Sequence, residues 1–233
     1  MNKPYEIVSM ELGPMQNFVY LIIDRDSKRT AIVDPAWDMQ PIHDYVSKHE
    51  LNISDILLTH SHHDHINGVE DILQQYDPEL HLLKAEADFW QTELQRPNLH
   101  VGGDQIQLGR TALNILHTPG HTPGSACYQL QDDIITGDTL FVFGCGRCDL
   151  DGGNPEDMFQ TLQKMKHELP GKMQLHPGHN YSCTSCSSIE DQIEGNPFLH
   201  FSDSEGFIDY RMDRHDKIRS TPYQPVKVED LLS

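Results

Sequence analysis

The chain has 233 residues, enough for one large domain with a substantial core, and its 36 acidic against 17 basic residues give a formal charge of −19. That balance, with no stripe of Lys and Arg, argues against a nucleic-acid surface. The longest apolar runs, such as residues 18–23, are too short to span a bilayer and the first residues lack the apolar region of a secretory signal, so we expect a cytoplasmic protein with neither membrane nor nucleic-acid partners.

In chain order, residues 18–24 and 30–34 read as strands joined by the polar turn 25–28, a hairpin signal. Residues 41–49 place Ile42, Tyr45 and Val46 on one stripe of a short helix. The apolar, β-branched run 53–59 predicts a strand. A helix over 66–76 follows, with Val69, Ile72 and Leu73 on one face, and then a strand over 80–85. Further strands are expected at 105–108, 112–117, 125–130 and 134–136, separated by turn dipeptides such as Pro119-Gly120 and Pro123-Gly124. Met158, Leu162 and Met165 mark a helix over 155–167, with Pro155 suited to its first turn, before a short strand at 172–175. Two strand-rich halves interleaved with helices predict two sheets packed face to face with helices outside, in one domain spanning residues 1–195. Residues 196–233 are polar and contain Pro197, Pro222 and Pro225 among Phe198, Phe201, Phe207, Tyr210 and Tyr223. They read as an irregular arm whose aromatics pack on the body or on a second subunit, the latter giving a homodimer.

The densest chemical signal is His60-Ser61-His62-His63-Asp64-His65, four metal-grade ligands within six positions directly after an apolar strand. Side chains two apart at a strand end point the same way, so His60 and His62 can converge on one ion. Asp64 and His65 follow at the turn into a helix and can face a second. Burying these groups without a metal would leave several costly polar atoms to satisfy. The same grammar recurs three times: an apolar strand ends and a ligand appears in the next loop, giving His121 after Pro119-Gly120, Asp138 after Gly137, and His179 after Gly178. His63, His117 and His176 lie beside these positions and are read as supporting or surface groups.

This ordered pattern of HxHxDH, His, Asp and His resembles that of the metallo-β-lactamase superfamily, over about residues 5–200. The resemblance implies an α+β, four-layer αβ/βα sandwich as the catalytic domain, with His60, His62 and His121 holding one zinc ion, Asp64, His65 and His179 the other, and Asp138 bridging. Two divalent ions can share a water, lower its pKa towards neutrality and polarise a carbonyl, so a bridging hydroxide serves as nucleophile and Asp64 as its orienter. The absence of a GxSxG motif fits that chemistry.

The leaving group narrows the substrate. A thiol has a pKa of about 8.5, so a thioester needs no dedicated acid, whereas an amide nitrogen must be protonated to leave. More specifically, residues 136–141, Gly144-Cys145-Gly146-Arg147, Gly178-His179-Asn180-Tyr181 and Asn196-Pro197-Phe198 resemble the hydroxyacylglutathione hydrolase (glyoxalase II) branch. That likeness implies that Arg147 and Tyr181 contact the substrate, Arg147 by a bidentate bond to a carboxylate. The stretch 146–153 is closer to the zinc hydrolases of polyketide clusters, whose implied substrates are acyl thioesters of carrier proteins. The short acidic tail also departs from the longer helical C-terminal domain of the glutathione branch. An alternative of another reaction class is a persulfide dioxygenase of the same fold, with one Fe2+ held by His60, His121 and Asp138.

Cys145 and Cys148, and Cys183 and Cys186, each have zinc-knuckle spacing, but the odd total of five cysteines and the family motif around Cys145 favour free thiols over a third metal site.

Overall fold

The computed structural model describes residues 3–91 and 97–231. The first sheet has six strands in the order β1 (Tyr5–Leu12), β2 (Asn17–Asp24), β3 (Arg29–Val33), β4 (Asn52–Leu57), β5 (Glu79–Leu83) and β6 (Asn98–His100). β1 to β3 are antiparallel, and β3 to β6 run parallel. The second sheet contains β7 (Gln105–Leu108), β8 (Thr111–His117), β9 (Ala126–Gln129) and β10 (Asp133–Gly137). After the small hairpin of β11 (Leu140–Phe141) and β12 (Gly144–Cys145), β13 (Gln174–Pro177) adds to β10 in parallel and β14 (Ser187–Ser188) closes the edge.

Strand alternation assigns the layers. In β2 every residue is buried, which requires cover on both faces. Tyr20 and Ile22 point into the space between the sheets, where they meet Leu113, Ile115, Tyr128 and Ile135. Val19, Leu21 and Ile23 point outward onto Ile42 and Val46 of helix α1 (Gln40–His49) and Ile72 of a later helix. The outer face of the second sheet is covered by Met158, Leu162 and Met165 of the helix Pro155–Glu168. The result is the four-layer αβ/βα sandwich expected from the resemblance.

Several boundaries differ from the sequence expectation. The helix expected over 66–76 is two helices, α2 (His63–Ile66) and α3 (Val69–Tyr76). The break falls at Gly68, whose N–H donates to Pro35 O at 2.9 Å and where an added Cβ would lie 2.9 Å from that oxygen. The strand expected over 80–85 ends at Leu83, because α4 (Lys84–Trp90) begins there. β1 escaped the reading because its alternation is weak: Glu6, Val8, Met10 and Leu12 share one face of an edge strand.

Beyond α5 (Pro155–Glu168) and α6 (Ile189–Gly195), the arm is helical rather than irregular. α7 (Ser204–Asp209), capped by Asp203 on Gly206 N, runs through a π-turn at Tyr210–Arg214 into α8 (His215–Ile218), and α9 (Val228–Leu231) follows. Phe198 and Phe207 are fully buried against the α5 side of the body. These helices run only four to six residues each, too short for a readable period. No helix among the described residues is long and apolar enough to cross a membrane.

Candidate metal centre

The sandwich brings strand ends together at one edge. β4 delivers His60 and His62, α2 carries Asp64 and His65, and the loops after β8, β10 and β13 deliver His121, Asp138 and His179. All seven ligand-grade residues of the sequence reading meet there. His60, His62 and His121 form one group, with ring centroids 4.5–4.8 Å apart. Asp64, His65 and His179 form a second, in which Asp64 Oδ2 lies 3.5 Å from both imidazole Nε2 atoms. Asp138 faces both, 3.5 Å from His121 Nε2, 3.4 Å from His65 Nε2 and 3.3 Å from His179 Nε2. The edge of a tetrahedron with metal–ligand bonds of about 2.1 Å is about 3.4 Å, so these spacings suit ligands sharing an ion.

Orientation gives an independent test of that fit. His65 Nδ1 is 3.0 Å from Asp34 Oδ2, His121 Nδ1 2.7 Å from Arg147 O, and His179 Nδ1 2.9 Å from Met15 O. Each Nδ1 faces an acceptor, so its proton sits there and Nε2 turns a lone pair to the centre. His60 is held the same way: the Thr59 hydroxyl donates to Asp34 Oδ2 and lies 3.0 Å from His60 Nδ1. Nε2 of His60 and of His121 and Oδ1 of Asp138 are buried without a hydrogen-bond partner among the described residues. His65 Nε2 and His179 Nε2 are 3.2 Å apart as two inward-facing acceptors. Such a set of converging lone pairs is what a cation satisfies.

Electrostatics agree. Burial holds His60 well below its ordinary pKa and His121 down at about 4, keeping both in the neutral form that ligates. Burial also opposes charge on His65, but Asp138 and Asp34 outweigh it and raise His65 to about 9, so the carboxylates favour positive charge at this point. Asp138 is opposed by burial as well, yet His179 and His65 hold it well below the carboxylate range.

Two glycines give Asp138 its room, Gly178 at the carboxylate and Gly146 at the backbone carbonyl. An added Cβ at Gly178 would lie 2.4 Å from Asp138 Oδ1, and one at Gly146 would lie 1.9 Å from Asp138 O.

Three supporting residues were not read from the sequence. Asp34, bent into positive φ at the end of β3, accepts from Thr59 N at 2.7 Å as well as orienting His60 and His65. A carboxylate at the end of an apolar strand was the available signal. Asn17 donates to Asp64 Oδ2 at 2.9 Å and is itself held by Trp37 Nε1 at 2.8 Å. Glu86, buried in α4, accepts from Ser61 N and Oγ, Thr122 Oγ1 and Gly124 N, tying the His60 and His62 loop to the His121 loop.

The neighbouring histidines stay outside the cluster: His117 contacts Pro123 O, His176 contacts Asp133, and His63 lines the adjoining cavity. All five cysteines are free. Cys145 and Cys148 are buried while Cys183 and Cys186 are exposed, and no cysteine joins a metal-ligating group among the described residues.

A cavity of about 880 Å³ opens over the centre, lined by His62, Asp64, His121, Asp138 and His179 and also by Arg147 and Tyr181. The Tyr181 ring stacks on His179, with centroids 4.6 Å apart and planes 7° from parallel.

Comparison with known proteins places this arrangement. The sequence profile described as Metallo-beta-lactamase superfamily matches residues 12–179. A probable polyketide biosynthesis zinc-dependent hydrolase, BaeB, from Bacillus velezensis is 34% identical over 201 residues, covering 86% of this chain and 89% of that protein. A hydroxyacylglutathione hydrolase from Vibrio cholerae is 37% identical over 169 residues, covering 72% of this chain and 64% of the relative. Among solved structures, ETHE1 from Myxococcus xanthus superposes with a TM-score of 0.81 at 26% identity, covering 89% of this chain and 90% of that one. With the profile running from β1 to the final histidine of a ligand series gathered at one sandwich edge, the chain belongs to the metallo-beta-lactamase superfamily.

Proposed function

We propose that this chain is a metal-dependent hydrolase of thioesters that carries two zinc ions, with His60, His62 and His121 holding one, Asp64, His65 and His179 the other, and Asp138 shared. The observation that carries the reading is the completeness of both ligand groups: each His except His62 has its Nδ1 fixed by a protein acceptor, and Asp64 is fixed by Asn17. A single-iron dioxygenase needs only His60, His121 and Asp138, and the support given to Asp64, His65 and His179 favours the two-ion reading. The names of the Bacillus and Vibrio relatives, a zinc-dependent hydrolase and a hydroxyacylglutathione hydrolase, point the same way.

When bound, the ions supply a water of lowered pKa and a Lewis acid for the substrate carbonyl. The protein supplies the rest. Asp64 lines the cavity with its carboxylate clamped by Asn17, placing it to accept a hydrogen bond from the attacking water and aim it. Tyr181, fixed by its stack on His179 and by an edge contact with Phe141, presents a hydroxyl to the acyl or thiol part of the substrate. Arg147 binds an anionic group on that substrate. A thiolate leaves without a proton, so none of these groups needs to act as general acid.

The test is elemental analysis of purified protein alongside thiol release from S-lactoylglutathione and from an acyl-pantetheine thioester. Two zinc ions per chain and thiol release support the proposal. One iron per chain, with oxygen uptake on glutathione persulfide and no thiol release, overturns it.

A further inference from the structure

A second gathering of ligand-grade side chains lies towards the other end of the first sheet. Asp55 on β4 and Glu79 and His81 on β5 stand on the face turned to the opposite sheet, because Leu57 and Leu83, two residues further along the same strands, belong to the core between the sheets. Asp55 precedes His60 by five residues, about 16 Å of extended chain, so this cluster is distinct from the metal centre. His81 is 5% exposed and Asp55 2%. His81 Nε2 lies 3.2 Å from Asp55 Oδ1 and 3.8 Å from Glu79 Oε2, and the three ligand atoms all fall within 4.8 Å of one another. Glu79 stands at the surface, and Asn98 Nδ2 donates to that same Oε2 at 3.4 Å. Asp55 gives its other oxygen to Arg29 at 3.1 Å and to the Ser54 hydroxyl, which leaves Oδ1 facing His81.

The hydrogens around His81 do not suffice for its contacts. His81 Nδ1 is 3.0 Å from His100 Nε2, and His100 Nδ1 in turn faces Asp104 Oδ2 at 3.6 Å. The row Asp55, His81, His100, Asp104 therefore has three junctions that each call for a hydrogen, and two neutral imidazoles carry two. Burial and His81 lower the pKa of His100, so that ring is neutral. Burial opposes charge on Asp55, but His81, Ser54 and Arg29 outweigh it and keep the group a carboxylate. With one ring hydrogen between the histidines and the other towards Asp104, His81 Nε2 is a lone pair aimed at two carboxylates. A proton placed there can point at only one of them. A divalent cation can bind both. Charge points the same way: Asp55, Glu79 and Asp104 against Arg29 leave two negative charges around two neutral rings.

We propose that Asp55 Oδ1, Glu79 Oε2 and His81 Nε2 form a further divalent-cation site, of the zinc class, that clips β4 to β5 away from the metal centre. One imidazole and two carboxylates are a zinc donor set, with water completing the tetrahedron. His100 accepts from Nδ1 of His81 and so turns Nε2 towards the ion, the same arrangement that orients histidines at the sandwich edge. Because Glu79 is open to solvent, the ion exchanges with solution.

The experiment is equilibrium dialysis of the metal-loaded protein against buffered free zinc, with 15N-labelled histidine followed by NMR. The parent should take up one more zinc per chain than Glu79→Gln, in which affinity at this site falls about tenfold. Subtracting one protein from the other cancels whatever the metal centre holds. Zinc should move the His81 Nε2 resonance, assigned by its loss in His81→Gln, from that of a proton-bearing or free nitrogen to that of a ligating one. The thermal midpoint should rise with free zinc in the parent and much less in Glu79→Gln, whose altered side chain is exposed and leaves the circular dichroism spectrum unchanged. Equal zinc uptake by the parent and Glu79→Gln overturns the proposal, as does a His81 Nε2 resonance that zinc leaves in place. A midpoint that rises alike in both proteins puts the ion elsewhere and does the same.

Discussion

Replacing Glu86 by Gln tests how the ligand loops are held, since the two side chains match in shape and differ in their hydrogen-bonding faces. Glu86 Oε1 accepts from Ser61 N at 2.7 Å and Ser61 Oγ at 2.6 Å, and Oε2 accepts from Thr122 Oγ1 at 2.7 Å and Gly124 N at 3.0 Å. Gln can present one oxygen and one NH2 group. Whichever way the amide turns, the hydroxyl on the NH2 side can rotate to accept, but the backbone N–H there cannot. One buried N–H is stranded, at about 1–3 kcal/mol, and the remaining bonds drop from charge-assisted to neutral strength, about 1 kcal/mol each. Relief of carboxylate desolvation offsets part of this, leaving an expected loss of about 2–4 kcal/mol. Ser61 lies between His60 and His62, and Thr122 follows His121, so the loss falls on the three-histidine group. Urea denaturation of the metal-loaded protein reads the stability, and, on the proposed two-zinc reading, competition with a chromophoric chelator should show one ion weakened about tenfold. A stability change under about 0.5 kcal/mol with both zinc affinities intact would refute the argument that Glu86 fastens these loops.

Other outcomes follow from the same geometry. Asp138→Ala removes a carboxylate that faces both groups, and the proposed thiol release should fall at least about a thousandfold while the circular dichroism spectrum is retained. Asp34→Asn disturbs the acceptor that orients His60 and His65, and equilibrium dialysis should show zinc affinity about 10–100-fold weaker. Asp133 is opposed by burial, but His176, Lys3 and Tyr5 bind its carboxylate and hold its pKa at about 2. A folded value below the unfolded one means stability that is full above about pH 4 and is lost as pH falls towards 2. That contribution is about 2 kcal/mol, and acid denaturation of Asp133→Asn should lack it.

The ligand set was legible in the sequence because its spacing is local. HxHxDH packs four ligands into one strand end and the helix after it, and His121, Asp138 and His179 each follow an apolar strand with a glycine close by. Two strand-rich halves interleaved with helices likewise announced two packed sheets. Short elements were harder to read. α4 was hidden because a glutamate and an aspartate on a single helical stretch look like solvent-facing residues, and the helices of the arm are too brief to display a period.

The supporting contacts could not be read, for a different reason. Asp34 reaches His65 across 31 positions, Glu86 reaches Ser61 across 25 and Thr122 across 36, and Met15 O meets His179 Nδ1 across 164. Sequence determined which atoms can bind a cation, because that is a property of each side chain and its nearest neighbours. Tertiary structure decided which nitrogen of each histidine faces the centre and which arginines share its cavity, because those depend on acceptors and walls delivered by segments that meet only when both sheets close.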